Sequence, residues 1–368
     1  MQEGPSGTRR IRVGGFTLTL TGRLVYVSSR SRSSNRKFWM SPKIRYNRNM
    51  HRRTFLGVTA VAAILNKSEQ PVNKPVIDTH IHLFDPRRPQ GVPWPEKDDK
   101  ILYHPALPDR YRSMTRGLGV VGAIEVECSP WLEDNQWVLD VAAKDTIMVG
   151  TVGNLEPGKP DFRKHLQRFH ENALFLGIRY GNLWGRNLGD QISRPEFISH
   201  IKALADAGLE LDTATPNPAL ISAVLRLTDK VPNLRVVIDH LPQLDPPTDS
   251  AARAALRSDL RELGNRRQVY VKVSEVLRRV SGRVPDDLNF YRARLDELWD
   301  IFGQDRLIYG SDWPNSDLWA PYQTVFNLVH EYFSAKGPDV QAKFFWKNSI
   351  AAYRWVPRDQ SQKQLSAV

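Results

Sequence analysis

Eight short β-branched runs, seven longer amphipathic stretches between them and a span of about 280 residues predict an α/β fold, a (β/α)8 TIM barrel. The strands are expected at 76–82 (VIDTHIH), 122–127 (GAIEVE), 147–153 (IMVGTVG), 176–180 (LGIRY), 209–213 (LELDT), 234–240 (LRVVIDH), 269–275 (VYVKVSE) and 307–311 (LIYGS). All are short and dominated by Val, Ile and Leu, as buried parallel strands are. Helices are expected at 134–144, 161–173, 195–207, 218–230, 250–264, 288–302 and 321–335, where apolar residues recur at three- and four-residue intervals. A doubly wound open sheet is the structural alternative. No repeat or linker divides 75–356, which therefore reads as one barrel domain, with 357–368 as a C-terminal tail.

The formal charge of +12 would suggest a polyanionic partner, but residues 1–53 hold 13 of the 52 Lys and Arg against one acid. The remainder is balanced at 39 bases and 39 acids. A neutral body without a basic, aromatic-interleaved stripe excludes nucleic acid as the expected partner and leaves a small molecule. Residues 1–49 read as a basic disordered segment. In "MHRRTFLGVTAVAAIL", Arg52 and Arg53 stand directly before an apolar run, the order of a twin-arginine export signal over 50–70. That run is too short to span a bilayer, so no stable membrane anchor is expected. The signal implies translation from Met50 and a periplasmic location; without it the body would be cytoplasmic. The lone Cys128 cannot form an internal disulfide and reads as a small buried hydrophobe. Oligomeric state is left open.

In such a barrel the chemistry lies at the C-terminal ends of the strands. His80 and His82, one residue apart on a strand, point to one side. His240 ends the sixth strand and Asp312 follows the eighth, so three imidazoles and a carboxylate can converge. That set suits one divalent ion, zinc foremost, with Glu127 as a further ligand or an acid that orients a histidine. A metal-free route with Asp312 as base also remains open. Arg179 could hold a substrate carboxylate or form a structural ion pair. Lys272 could bind substrate oxygen or pair with Asp239 or Glu275. Trp184 and Trp313 could stack on a ring or simply pack. The long loops 84–108, containing Trp94, and 181–194, containing Trp184, are expected over the barrel mouth. "GLGVVG" at 117–122 matches a dinucleotide motif in letters only, because it precedes a strand.

Taken in order, "IDTHIHLFDP", "GIRYGN", "VVIDHLP", "VYVKVSEV", "LIYGSDWPNSD" and "FFWKNSIAAYRW" resemble the barrel motifs of amidohydrolase family 2, in particular its lactone hydrolases such as fuconolactonase and pyrone-dicarboxylate lactonase. The resemblance covers 75–356. It implies the barrel, hydrolysis of a small cyclic ester from a sugar acid or aromatic catabolite, and Asp312 acting on water. It also implies a single metal rather than two, since strand four ends in Arg179 and strand five offers Asp212 and Thr213 instead of histidine. The competing expectations are a metal-dependent decarboxylase and a binding barrel without catalysis.

Overall fold

In the computed structural model, the β-branched runs form eight strands, each paired in parallel with its sequence neighbour. They are β1 (Val76–Ile81), β2 (Val120–Val126), β3 (Met148–Gly153), β4 (Phe175–Arg179), β5 (Glu210–Thr213), β6 (Arg235–Ile238), β7 (Val269–Val273) and β8 (Leu307–Tyr309). The structure describes residues 74–242 and 246–366, together with three strands nearer the N-terminus. β8 returns to β1 through a parallel bridge between Ile81 and Trp313. There the His82 N–H donates to the Trp313 carbonyl at 2.7 Å and the Asp312 N–H to the His80 carbonyl at 2.8 Å. Closure leaves no sheet edge, and the fold is a (β/α)8 barrel. At this seam Gly310 has no alternative, because a Cβ there would lie 2.8 Å from the His80 Cβ.

Helices α1 (Pro108–Met114), α2 (Asp134–Ala143), α3 (Phe162–His170), α4 (Pro195–Asp206), α5 (Pro218–Lys230), α6 (Ser250–Gly264), α7 (Leu288–Phe302) and α8 (Tyr322–Ser334) stand between and after the strands. Proline opens α1, α4 and α5, where a missing N–H costs nothing. Asn217, Asp249 and Asp287 accept from orphan N–H groups at the starts of α5, α6 and α7. The sequence reading lacks α1, which at 7 residues is too short to show a helical period.

Two apolar clusters hold the barrel. The larger lies between strands and helices, with Tyr111, Phe197, Leu260, Leu298 and Phe326 among its members. The second takes Ile77, Ile124, Val149, Leu176, Val237, Tyr270 and Ile308 from seven different strands, which can meet only inside the barrel. Trp346, Tyr353 and Trp355 close this cluster from beyond α8.

The segment read as a tail belongs to the same body. Residues Gln360–Ser366 are helical, Arg358 donates to the carbonyls of Ala142, Ala143, Asp145 and Met148, and buried Gln362 donates to those of Val121 and Thr146. A run of polar letters hid this role, because what these side chains satisfy is the backbone of distant elements.

The chain divides into two units, Met1–Glu69 and Gln70–Val368. In the first, Arg9–Val13, Phe16–Thr21 and Leu24–Ser28 form an antiparallel meander within the stretch expected to lack order. Its signal was present in the letters, since alternating runs are separated by two residues, Gly14 and Gly15 and then Gly22 and Arg23. The proposed export signal at 50–70 lies outside the described residues.

Candidate active site

The chain turns sharply where β5 to β8 end. Thr215, His240, Glu275 and Asp312 have φ of 56°, 64°, 49° and 60°, a left-handed conformation that costs a non-glycine residue roughly 1–2 kcal/mol. Four such residues at successive strand ends mark the barrel mouth as the place where strain is retained for geometry. All but Thr215 carry groups able to exchange protons, and all four line one cavity of about 470 Å³.

His82 and Asp312 line this cavity, and the fully buried His80 lies directly behind Asp312. The Asp312 Oδ1 lies 3.2 Å from His82 Nε2 and 3.5 Å from His80 Nε2, while Oδ2 accepts from Asn315 at 2.8 Å. The ring centroids of His82 and His240 are 5.0 and 4.8 Å from that of His80. Burial alone would raise the Asp312 pKa, but the His82 contact and the neighbouring imidazoles hold it well below the usual carboxylate range. His80 is shifted down by burial and by the charge of Lys272, against the pull of Asp239, so its imidazole is neutral at neutral pH.

The donor set fits a divalent cation. His80, His240 and Asp312 offer ligand atoms all within 4.8 Å of one another, and both ring nitrogens of His80 are buried without a hydrogen bond. The His82 Nδ1 lies 2.8 Å from the Val126 carbonyl, which can only accept, so Nδ1 carries the proton. In the neutral ring Nε2 then presents a lone pair toward Asp312, an arrangement that a proton or a cation must bridge. His240 is oriented by Ser274, whose Oγ is 2.9 Å from Nδ1.

Arg179 and Trp184 line the cavity as expected. For three other residues the sequence left two roles open. Glu127 is on the cavity wall but outside the group of mutually close ligand atoms. Its carboxylate accepts from Trp184 Nε1 at 3.1 and 3.3 Å and from the Ser129 N–H at 3.1 Å. Lys272 does not reach the cavity: fully buried, it pairs with Asp212 and, at 2.9 Å, with Asp239. Trp313, next to Asp312, does not line the cavity and packs on Tyr111 under Arg110. Cys128 also borders the cavity, its thiol pushed up by burial.

Sequence reasoning gave no site role to Asn217, Arg278 and Asn315, which also line the wall, as do Glu275, read from the end of a strand, and Trp94, read from a loop over the mouth.

Comparison with known proteins follows this geometry. A family model described as Amidohydrolase matches residues 77–355. The chain belongs to the amidohydrolase family. The protein is therefore an enzyme. Among curated amidohydrolase relatives, the L-fucono-1,5-lactonase of Burkholderia ambifaria is 29% identical over 285 residues, 76% of this chain and 95% of that protein. Among solved structures, an amidohydrolase from Burkholderia multivorans with bound zinc superposes with a TM-score of 0.65 at 20% identity, covering 77% of this chain and all of the other. A structure described as a putative 2-pyrone-4,6-dicarboxylic acid hydrolase from Pseudomonas putida gives 0.61 at 20% identity over 76% of this chain and 97% of its own. No helix among the described residues is long and apolar enough to cross a membrane.

Proposed function

We propose that the protein hydrolyses the ring ester of a sugar-acid lactone. The observation that carries this reading is an ionised Asp312 set against imidazoles on the floor of a cavity large enough for one sugar ring. The similarity to the L-fucono-1,5-lactonase, nearly over its whole length, supports the same substrate class.

The cavity wall favours an uncharged, hydroxylated ring over a dicarboxylate. Glu127, Glu275 and Asp312 present carboxylates, while Arg179 and Arg278 are already engaged. Arg179 donates to the Glu127 carbonyl at 3.2 Å and lies 3.3 Å from Asp239. Arg278 donates to the carbonyls of Glu275 and Leu277, both at 2.7 Å. Carboxylates accept hydroxyl donors well and repel other carboxylates. Trp94 and Trp184 supply flat apolar surface for a ring.

In the proposed reaction Asp312 takes a proton from the attacking water, and its ionised state at neutral pH suits it to accept. The new C–O bond forms as the carbonyl oxygen gains charge, and the positive charge of Arg179 on the cavity wall offsets it at a distance while its donors stay with Glu127 and Asp239. Ring opening breaks the ester C–O bond, and Asp312 returns its proton to the departing alkoxide. A divalent ion held by His80, His82, His240 and Asp312 would polarise the carbonyl and lower the pKa of water to about 7. Zinc is the metal proposed for that nitrogen-rich set.

The test is a panel of sugar-acid and aromatic lactones, read by the one proton released per ring opened. Turnover of hydroxylated neutral lactones is expected, with Asp312→Asn slower by roughly a hundredfold to ten-thousandfold. Release of CO2 from an aromatic carboxylate without lactone turnover would make the enzyme a decarboxylase instead.

A further inference from the structure

We infer that Asp239 is a positioning residue that sets His80 and Arg179 as one unit, so that the hydrolytic floor and the cationic wall of the site move together or not at all. Asp239 is fully buried at the end of β6, where its N–H donates to the Thr213 carbonyl at 3.1 Å. Its Oδ1 faces His80 Nδ1 at 3.5 Å, and its Oδ2 faces Arg179 Nε at 3.3 Å. One rigid carboxylate thus holds the rear of both side chains. His80 is left with Nε2 toward Asp312, and Arg179, on the cavity wall, has one terminal nitrogen on the Glu127 carbonyl.

The carboxylate is in turn fixed from below. Lys272 Nζ, 2.9 Å from Asp239 Oδ1, is shared with Asp212. Asp212 also accepts from the Tyr353 hydroxyl at 2.9 Å. Rotation of Asp239 would break contacts with three cationic or proton-donating groups at once. An asparagine has the same shape but must turn an NH2 toward one of those donors, so it cannot satisfy all three.

Asp212 provides the control. It is equally buried and shares the same lysine, yet it is paired with neither His80 nor Arg179. In the full-length protein, Asp239→Asn is expected to lower kcat about 10- to 100-fold, to raise KM as Arg179 loses its anchor, and to shift the 15N resonances of the His80 ring. Asp212→Asn is expected to lower Tm, with smaller changes in kcat, KM and the His80 ring resonances than Asp239→Asn gives, because Lys272 still holds Asp239 Oδ1. Equal effects of the two substitutions, or parental kinetics in Asp239→Asn, would overturn the inference. Should Asp239→Asn fail to fold, Arg179→Gln carries the test, since loss of the Oδ2 partner must move the His80 ring resonances; unmoved resonances overturn it. The ring readout needs no substrate, so it is separable from the outcome of the lactone panel.

Discussion

Replacing Lys272 with methionine separates its two readings, a substrate ligand and a buried counter-ion. The side chain is 0% exposed. Its ammonium sits between Asp212 and Asp239 and 5.4 Å above the Tyr353 ring. The two carboxylates hold its pKa up although burial opposes them. Methionine fills much of the same volume but leaves both acids without their cation. Breaking a buried pair in this way costs about 3–5 kcal/mol, because an uncompensated charge stays inside. Asp212, already pushed up to about 7 by burial and by the Asp239 charge, would rise further. At about 2–4 °C per kcal/mol for a large domain, Tm should fall by roughly 6–20 °C. Thermal unfolding followed by circular dichroism reads this directly. Adding Asp212→Asn should recover part of the loss, since it removes one of the stranded charges. A Tm unchanged by Lys272→Met, with KM alone raised, would refute the argument and restore lysine to the substrate.

Other outcomes follow from the same contacts. Arg358→Ala removes four hydrogen bonds to backbone carbonyls and should lower stability by about 2 kcal/mol or more; a chain cut after 356 should unfold at lower urea still. Glu125 is buried, with its pKa raised well above the usual value by burial and then by the Glu127 charge. The folded state therefore binds more protons than the unfolded one above about pH 4.5, and stability falls as pH rises toward the raised folded pKa. Glu125→Gln should remove up to about 1.4 kcal/mol per pH unit of that slope, measured as urea midpoints between pH 5 and 8. If 50–70 is an export signal, lysine at both Arg52 and Arg53 should keep the protein out of the periplasmic fraction on cell fractionation; a distribution unchanged from the parent would dismiss the signal.

How far the sequence could be read depends on what each inference required. The barrel was legible because period-2 and period-3.6 patterns alternate without interruption. His80, His82, His240 and Asp312 were legible because each stands at a strand end, where topology alone decides the destination. Depth and facing were not. Lys272 lies beneath the mouth, enclosed between Asp212 and Asp239, while Trp313 packs on Tyr111 instead of lining the cavity. Neither distinction leaves a mark in residue type. Glu127 illustrates a further limit: its position was right, but Trp184 and Ser129 claim its oxygens from distant or irregular segments that no spacing rule connects to it.

The arrangement at the base of the barrel bears on how the protein is born. Gln362 bonds to Val121 across 241 residues, and Arg358 reaches Ala142 across 216. At a synthesis rate of about 5–20 residues per second, Val121 waits roughly 10–50 s for its partner. During that interval the strands around Ile77 and Val149 have no Trp346 or Trp355 to cover them. A nascent chain is thus exposed at its floor until translation is nearly over, and ribosome stalling anywhere before Arg358 should yield a product that chaperones and proteases recognise as unfinished.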